Sequence, residues 1–301
     1  MVQVQCMDPR SNDNYNFMYC PSFPAAVIFT ALFGLITLTH LIQAIHYRKR
    51  FCWVVIMAGS WETTGFLLRV FAVLHTTSPA FGIPSQILIL LSPLWINAFL
   101  YVLMARFVYF FVPEKRVAGI SAQRLSLLFV LLDITAFIMQ AGGGMLINSD
   151  TPKIALMGIH IYMGGIGLQQ FFILGFIGLV VRYHLRMRRL SFETGATAWR
   201  RPLYLMYVSL GLITLRIIYR LVEFSSGVYS PLTMHEAPLY VLEALPMALA
   251  LTLWCIVHPG MFLVGPESEF PKKVKKSKKV KIQEAEKSLV SEWSRTSSPE
   301  V

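Results

Sequence analysis

Ionic and amide side chains interrupt several long apolar runs of this chain, and in lipid such interruptions are costly. Glu62 and Arg69 fall in one run and Asn97 and Arg106 in the next. Asp133 with Gln140, Gln169 with Gln170, Arg216 with Arg220 and Glu223, and finally Glu243 follow. Four arginines therefore stand against four carboxylates, a formal balance. An unpaired charge would be penalised there, so balance is what a buried network needs. Arginine's planar fork suits bidentate carboxylate pairing better than a lysine ammonium. Glu62 and Arg69 are seven apart, two turns along one helical face, as are Asp133 and Gln140. Arg216, Arg220 and Glu223 stand at i, i+4 and i+7 and make one polar stripe.

At about 1.5 Å per residue, Glu62, Asn97 and Gln169 come near the bilayer centre. Arg69, Gln140, Arg216, Arg220, Glu223 and Glu243 come in the outer half. The pattern predicts a polar cavity between helices, running from the midplane toward the outer leaflet. Its candidate substrate-binding residues are Glu62, Arg69, Asn97, Asp133, Gln140, Gln169, Arg216, Arg220, Glu223 and Glu243. The competing reading is a set of interhelical salt bridges that only fixes packing. Arg106 fits that second reading, because it can snorkel to the cytosolic interface.

Catalytic signatures are missing. His75, His160 and His235 fall near the outer face, with Asp150 or Glu236 nearby, and His40, His46, His184 and His258 near the inner face. No HxxxH or HExxH spacing joins them, so they read as interfacial histidines rather than metal ligands. There is no GxSxG elbow, no phosphate-binding GxxxxGK[ST] loop, and no lysine within an apolar run to carry a Schiff base. Neither a catalytic centre, a metal nor a cofactor is expected.

The elements that must position these groups are membrane helices. The chain of 301 residues is 55% hydrophobic and only 14% charged, well below the roughly 25% of a soluble domain. Seven runs are long enough for a helix of about 20 residues to cross the hydrocarbon. They lie at 23–45, 53–74, 86–111, 125–147, 155–181, 203–224 and 239–258. The fold class is all-α, a polytopic seven-helix bundle. Of the 27 Lys and Arg, 21 lie in the loops 46–52, 112–124 and 182–201 and in the C-terminal tail. Only Arg10 and Lys153 lie on the opposite side. The positive-inside rule then puts the N-terminus outside and the C-terminus in the cytosol. It also assigns the net charge of +11 to anionic lipid headgroups rather than nucleic acid.

Three regions follow: an extracellular segment at 1–22, a transmembrane domain at 23–262 and a disordered basic cytosolic tail at 263–301. The tail carries Lys272, Lys273, Lys275, Lys276, Lys278, Lys279 and Lys281 and is too polar to build a core. It reads as a solvated tail; the sharper alternative is an anionic-lipid anchor that phosphorylation at Ser277 would weaken. No cleavable signal peptide is visible. A disulfide between Cys6 and Cys20 is permitted if their segment is extracellular, and two free thiols are the alternative. Gly142, Gly143 and Gly144, with Gly164, Gly165 and Gly167, allow helices to approach closely. Pro93 and Pro246 predict kinks.

Several of these residues recur in ordered motifs. Tyr19-Cys20-Pro21-Ser22 precedes the first span, followed by His40-Leu41-Ile42-Gln43 within it. Glu62-Thr63-Thr64-Gly65-Phe66-Leu67-Leu68-Arg69 and Leu91-Ser92-Pro93-Leu94 come next. Asp133-Ile134-Thr135-Ala136-Phe137-Ile138-Met139-Gln140 runs into Ala141-Gly142-Gly143-Gly144, and Gly167-Leu168-Gln169-Gln170 follows. Arg216-Ile217-Ile218-Tyr219-Arg220-Leu221-Val222-Glu223 and His258-Pro259-Gly260 close the set. Over about residues 19–262 the chain resembles the fungal lipid-translocating exporter family, the RTA-like proteins of aminocholesterol resistance. The resemblance implies a seven-helix protein, usually at the plasma membrane, that handles amphipathic lipids such as sphingoid bases and confers resistance to toxic amphiphiles. The expected partners are an amphipathic lipid and, at the basic tail, anionic membrane lipids. The rival reading is a seven-helix receptor or sensor without transport activity. The third span ends in Met104-Ala105-Arg106-Phe107 rather than an acidic-Arg-Tyr triplet, and no NPxxY closes the seventh, which lowers that reading.

Overall fold

The computed structural model describes residues 17, 19–147, 149, 151–195, 197–225, 232–265 and 270. Seven of its helices are long and apolar enough to cross a membrane, so the protein is an integral membrane protein of the class expected. Six of them are α1 (Phe23–Tyr47), α2 (Trp53–Leu74), α3 (Pro79–Phe111), α4 (Ala122–Ile147), α5 (Pro152–Thr194) and α6 (Arg200–Ser225); the seventh span, Leu239–Met261, joins a π-helical stretch, Leu239–Ala244, to α7 (Leu245–Ile256). The chain divides into two units, Met1–Ser268, which holds every one of these helices, and Glu269–Val301, of which only Phe270 is described. The basic tail with Ser277 lies outside the described residues.

Each helix packs on its neighbours in sequence, and α7 returns to α1. The closure is polar. His40 on α1 bonds through Nε2 to the carbonyl of Leu251 at 3.1 Å. One turn along, Gln43 donates to the carbonyl of Cys255 at 2.8 Å. His40 and His258 are almost fully buried, which corrects their reading as interfacial histidines: each serves helix geometry. His258 caps the short 3₁₀ turn Pro259–Met261 by accepting from the Gly260 amide.

The α4–α5 contact depends on small residues. A side chain at Gly143 would run into the Tyr162 backbone nitrogen at 2.5 Å. One at Gly165 would meet the Gln140 nitrogen at 2.9 Å and the Ala136 carbonyl at 3.0 Å. The other expected glycines do not contribute in this way: Gly142, Gly144 and Gly167 face open space. Between α2 and α3, Ser85 donates to the carbonyl of Gly65 and Ser92 to that of Ala58.

Two helices differ in extent from the sequence reading. α3 begins at Pro79, seven residues early, with Ser78 in the extended N-cap position and a proline in its first turn, where the missing N–H costs nothing. α5 continues past the apolar run to Thr194 and stops where Gly195 turns left-handed at φ 70°. At 43 residues it is about 65 Å long, twice the hydrocarbon thickness, so its end projects from the bundle. A two-stranded hairpin, β1 (Arg116–Val117) with β2 (Ile120–Ser121), joins α3 to α4; the sequence reading did not foresee it.

The π-helical stretch before α7 has a plain cause. Pro246 has no N–H and its ring crowds the preceding turn. The backbone accommodates it by widening, and the Leu245 amide reaches back to the carbonyl of Tyr240. The widened turn carries Tyr240 and Glu243, both of which enter the site.

Candidate functional site

Three separate spaces follow one another down the bundle, marked on α3 by residues 82–86, 90–94 and 91–98. The expected single cavity is thus divided, because guanidinium–carboxylate pairs fill the middle.

The first space, at the end carrying Tyr19, is a vestibule of about 330 Å³ lined by Arg69, Gln86, Tyr219, Glu223 and His235 among others. Arg69 is buried here but does not pair with Glu62. It donates to Glu236 at 3.1 Å, to the Tyr19 hydroxyl at 2.6 Å and to the Tyr240 hydroxyl at 3.3 Å. Glu236 also accepts from the Ser22 backbone amide at 2.7 Å and from Tyr240 at 3.1 Å. One carboxylate thus ties the chain before α1, the end of α2 and the start of the π-helical stretch together. Burial pushes the Tyr19 phenol upward, with Arg69 pulling against it. Phe17 packs with Ala72 and Val73 beneath. Glu236 is a residue the sequence reading passed over, except as a neighbour of the histidines. Its signal was there: Glu236, Tyr240 and Glu243 stand at i, i+4 and i+7. Cys20 is disulfide-bonded, whereas Cys52 and Cys255 are free thiols. Two free thiols, the alternative for Cys6 and Cys20, are thus not what Cys20 shows; Cys6 lies outside the described residues.

Below the vestibule the charges close on one another. Arg216 pairs with Glu243 at 2.9 Å. Arg220 reaches Glu223 at 2.8 Å and Glu243 at 3.4 Å. Tyr219 donates to Glu223, and Arg220 to the Tyr162 hydroxyl. Gln140 donates to Gln169 at 3.0 Å. The free volume beside these groups is about 20 Å³, room for one water. Glu62 lies close to this layer. Its neighbours are the Ser92 hydroxyl and the charges of Arg216 and Glu243, and its Oε2 has no hydrogen-bond partner among the described residues.

The third space is a groove of about 250 Å³ between α2, α3 and α4. Its walls are Trp61, Leu91, Leu94, Trp95, Ala98, Val130 and Ile134, and its one ionisable group is Asp133. Asn97 and Tyr101 each donate to Oδ2 of Asp133 at 2.9 Å. Oδ1 has no partner among the described residues, although the residue is 3% exposed. Leu94 lines both this groove and the space above it. Tyr101 was absent from the sequence reading; it lies one turn beyond Asn97 on the same face.

Two further polar residues of the spans lie outside these spaces, Arg106 as expected. Arg106 lies over the Phe51 ring at 4.0 Å, at the arginine-rich end and away from all three spaces. Gln170 is half-buried, outside the Gln140–Gln169 pair. No three His, Cys, Asp or Glu side chains gather into a metal-binding group among the described residues.

The profile of the RTA1-like protein family matches residues 55–265. A probable lipid transporter of Emericella nidulans, atnI, is 41% identical over 87% of this chain and 72% of its own length. The sphingoid long-chain base transporter RSB1 of Saccharomyces cerevisiae is 23% identical over 87% of this chain and 78% of its own. Protoporphyrin uptake protein 1 of the same yeast is 24% identical over 80% and 90% respectively. No solved structure matches.

Proposed function

The chain belongs to the RTA1-like family, and from that premise we propose that it moves a single-chain cationic amphiphile, of the sphingoid-base type, between the two leaflets. The Tyr19 end faces outside and the arginine-rich end faces the cytosol, in the plasma membrane. The amphiphile's tail stays in the bilayer while its headgroup passes along the polar side chains.

The observation that carries this reading is Asp133, the one ionisable residue lining an otherwise apolar groove, whose buried Oδ1 has no hydrogen-bond partner among the described residues. A buried carboxylate oxygen without a donor is costly. An ammonium or hydroxyl brought in by a lipid would supply the donor, and the tryptophan and leucine walls would take its chain. The vestibule offers a second polar stop at Glu223 and Arg69. Between the two, the ion-paired layer is a closed gate. Passage requires Arg216 and Arg220 to exchange partners, for which Glu62 is the spare carboxylate.

Reconstitution tests the proposal. Vesicles carrying the protein and a fluorescent C18 sphingoid amine should lose fluorescence to an external quencher at least tenfold faster than empty vesicles. Asp133→Asn should return the rate toward the empty-vesicle value. Saturable binding of the amine without accelerated flip would sink transport and favour the sensor reading.

A further inference from the structure

The projecting end of α5 forms a pocket of its own against the β1–β2 hairpin. Its volume is about 580 Å³ and its lining is Val117, Ala118, Arg182, Leu185, Arg186 and Arg189. We propose that this pocket binds a polyphosphorylated lipid headgroup, a phosphomonoester-bearing inositol lipid by its chemistry.

Placement is the first argument. The apolar run of α5 gives out at Val181, and Arg182 is the next residue. The pocket therefore starts where the hydrocarbon ends, at the depth of lipid phosphates. Leu185 keeps an apolar side chain on the same lining.

The second argument is the state of the three arginines. Arg186 is engaged: it donates to the Glu114 carboxylate and, at 3.1 Å, to the carbonyl of Arg116. Those two bonds fix the hairpin against α5. Arg182 and Arg189 flank it at i−4 and i+3, both exposed, and neither makes an ion pair among the described residues. Two guanidinium forks without carboxylates, held on a rigid helix and facing a preformed hollow, match phosphate rather than carboxylate partners.

Spacing selects the class of headgroup. Seven residues of helix separate Arg182 from Arg189, about 10 Å along the axis. A single phosphodiester at the interface reaches Arg182 alone. A headgroup carrying further phosphates away from the bilayer reaches both, with its ring in the hollow. Basic pockets at a membrane surface bind such headgroups, and the hollow lies within the usual size range of ligand sites.

The test uses the full chain in detergent and native mass spectrometry with short-chain lipids. Dioctanoyl phosphatidylinositol 4,5-bisphosphate should bind at least tenfold tighter than dioctanoyl phosphatidylserine. The double variant Arg182→Gln/Arg189→Gln should lose at least tenfold for the first lipid and little for the second. The tail is identical in both proteins, so the difference reports α5 alone. Equal affinity of the wild type for the two lipids would reduce the site to unspecific charge and overturn the proposal. An unchanged double variant would do the same, and so would free inositol trisphosphate binding as tightly as the lipid. The double variant should melt within 2 °C or so of wild type, because both side chains are exposed and unpaired.

Discussion

The ion-paired layer and the groove beneath it are adjacent, and they differ in how charge is balanced: the layer sets cation against carboxylate, whereas Asp133 makes no ion pair among the described residues. In the layer, Arg216, Arg220, Glu223 and Glu243 hold one another, with room for one water. In the groove, of about 250 Å³, Asp133 keeps one buried oxygen without a donor among the described residues. Paired charge in a low-dielectric interior fixes helix positions and leaves little appetite for a guest. A buried acceptor without a donor, next to an opening, is a place where a guest improves the electrostatics.

The sharpest way to break this comparison is Glu243→Gln. It removes the carboxylate that buried Arg216 pairs with and leaves Arg220 with Glu223 alone, and uncompensated buried charge costs about 3–5 kcal/mol. Thermal unfolding in detergent should show a large loss of stability; a melting point unchanged from wild type would mean the layer is not structural. Next comes Gly165→Val. The added carbons meet the α4 backbone, which cannot yield as a side-chain tip can, and overpacking of this kind costs about 1–3 kcal/mol. Because Gly165 is one turn from Gln169, α4 and α5 should part at the Gln140–Gln169 bond, and the water space should widen. Cysteine accessibility at position 140 or 169 measures that opening.

Asp133→Asn should behave in the reverse manner. The carboxamide oxygen can still accept from Asn97 and Tyr101, so stability should change by less than about 1 kcal/mol while amine flip falls at least tenfold. If stability falls as far as flip does, the groove is scaffold and not site. Tyr19→Phe is the mildest of the four. It removes one of the hydroxyls that Arg69 reaches and leaves the Glu236 pair, costing about 1 kcal/mol, read as a small drop in melting temperature with flip retained.

Much of this was legible before any coordinates. The seven spans follow from hydropathy, and the balance of arginines and carboxylates follows from the cost of charge in lipid. Helical spacing placed Arg216, Arg220 and Glu223 on one stripe, and Arg220 does pair with Glu223. The same spacing put Glu62 and Arg69 on one face, and both are buried, but it did not name their partners. Residues seven apart share a face but lie about 10 Å apart along the axis, too far for a salt bridge, and each turns to a different neighbour. Arg69 found Glu236, beyond the span boundaries on which the reading concentrated. The histidines failed for a related reason. His40 and His258 are near helix ends in sequence, yet α7 folds back onto α1 and covers both.

Taken alone, the sequence determined which segments lie in lipid, which polar residues they carry and the family to which the chain belongs. Hydropathy and helical periodicity are properties of consecutive residues, so they need no partner to be read. Only the tertiary structure decided that Arg69 meets a carboxylate 167 residues away, that Arg216 and Arg220 share Glu243, and that Asp133 is left with an unanswered oxygen. Those pairings depend on the rotation and depth of each helix. Close approach at Gly143 and Gly165 and the widened turn before Pro246 set both, through contacts between residues far apart in the chain.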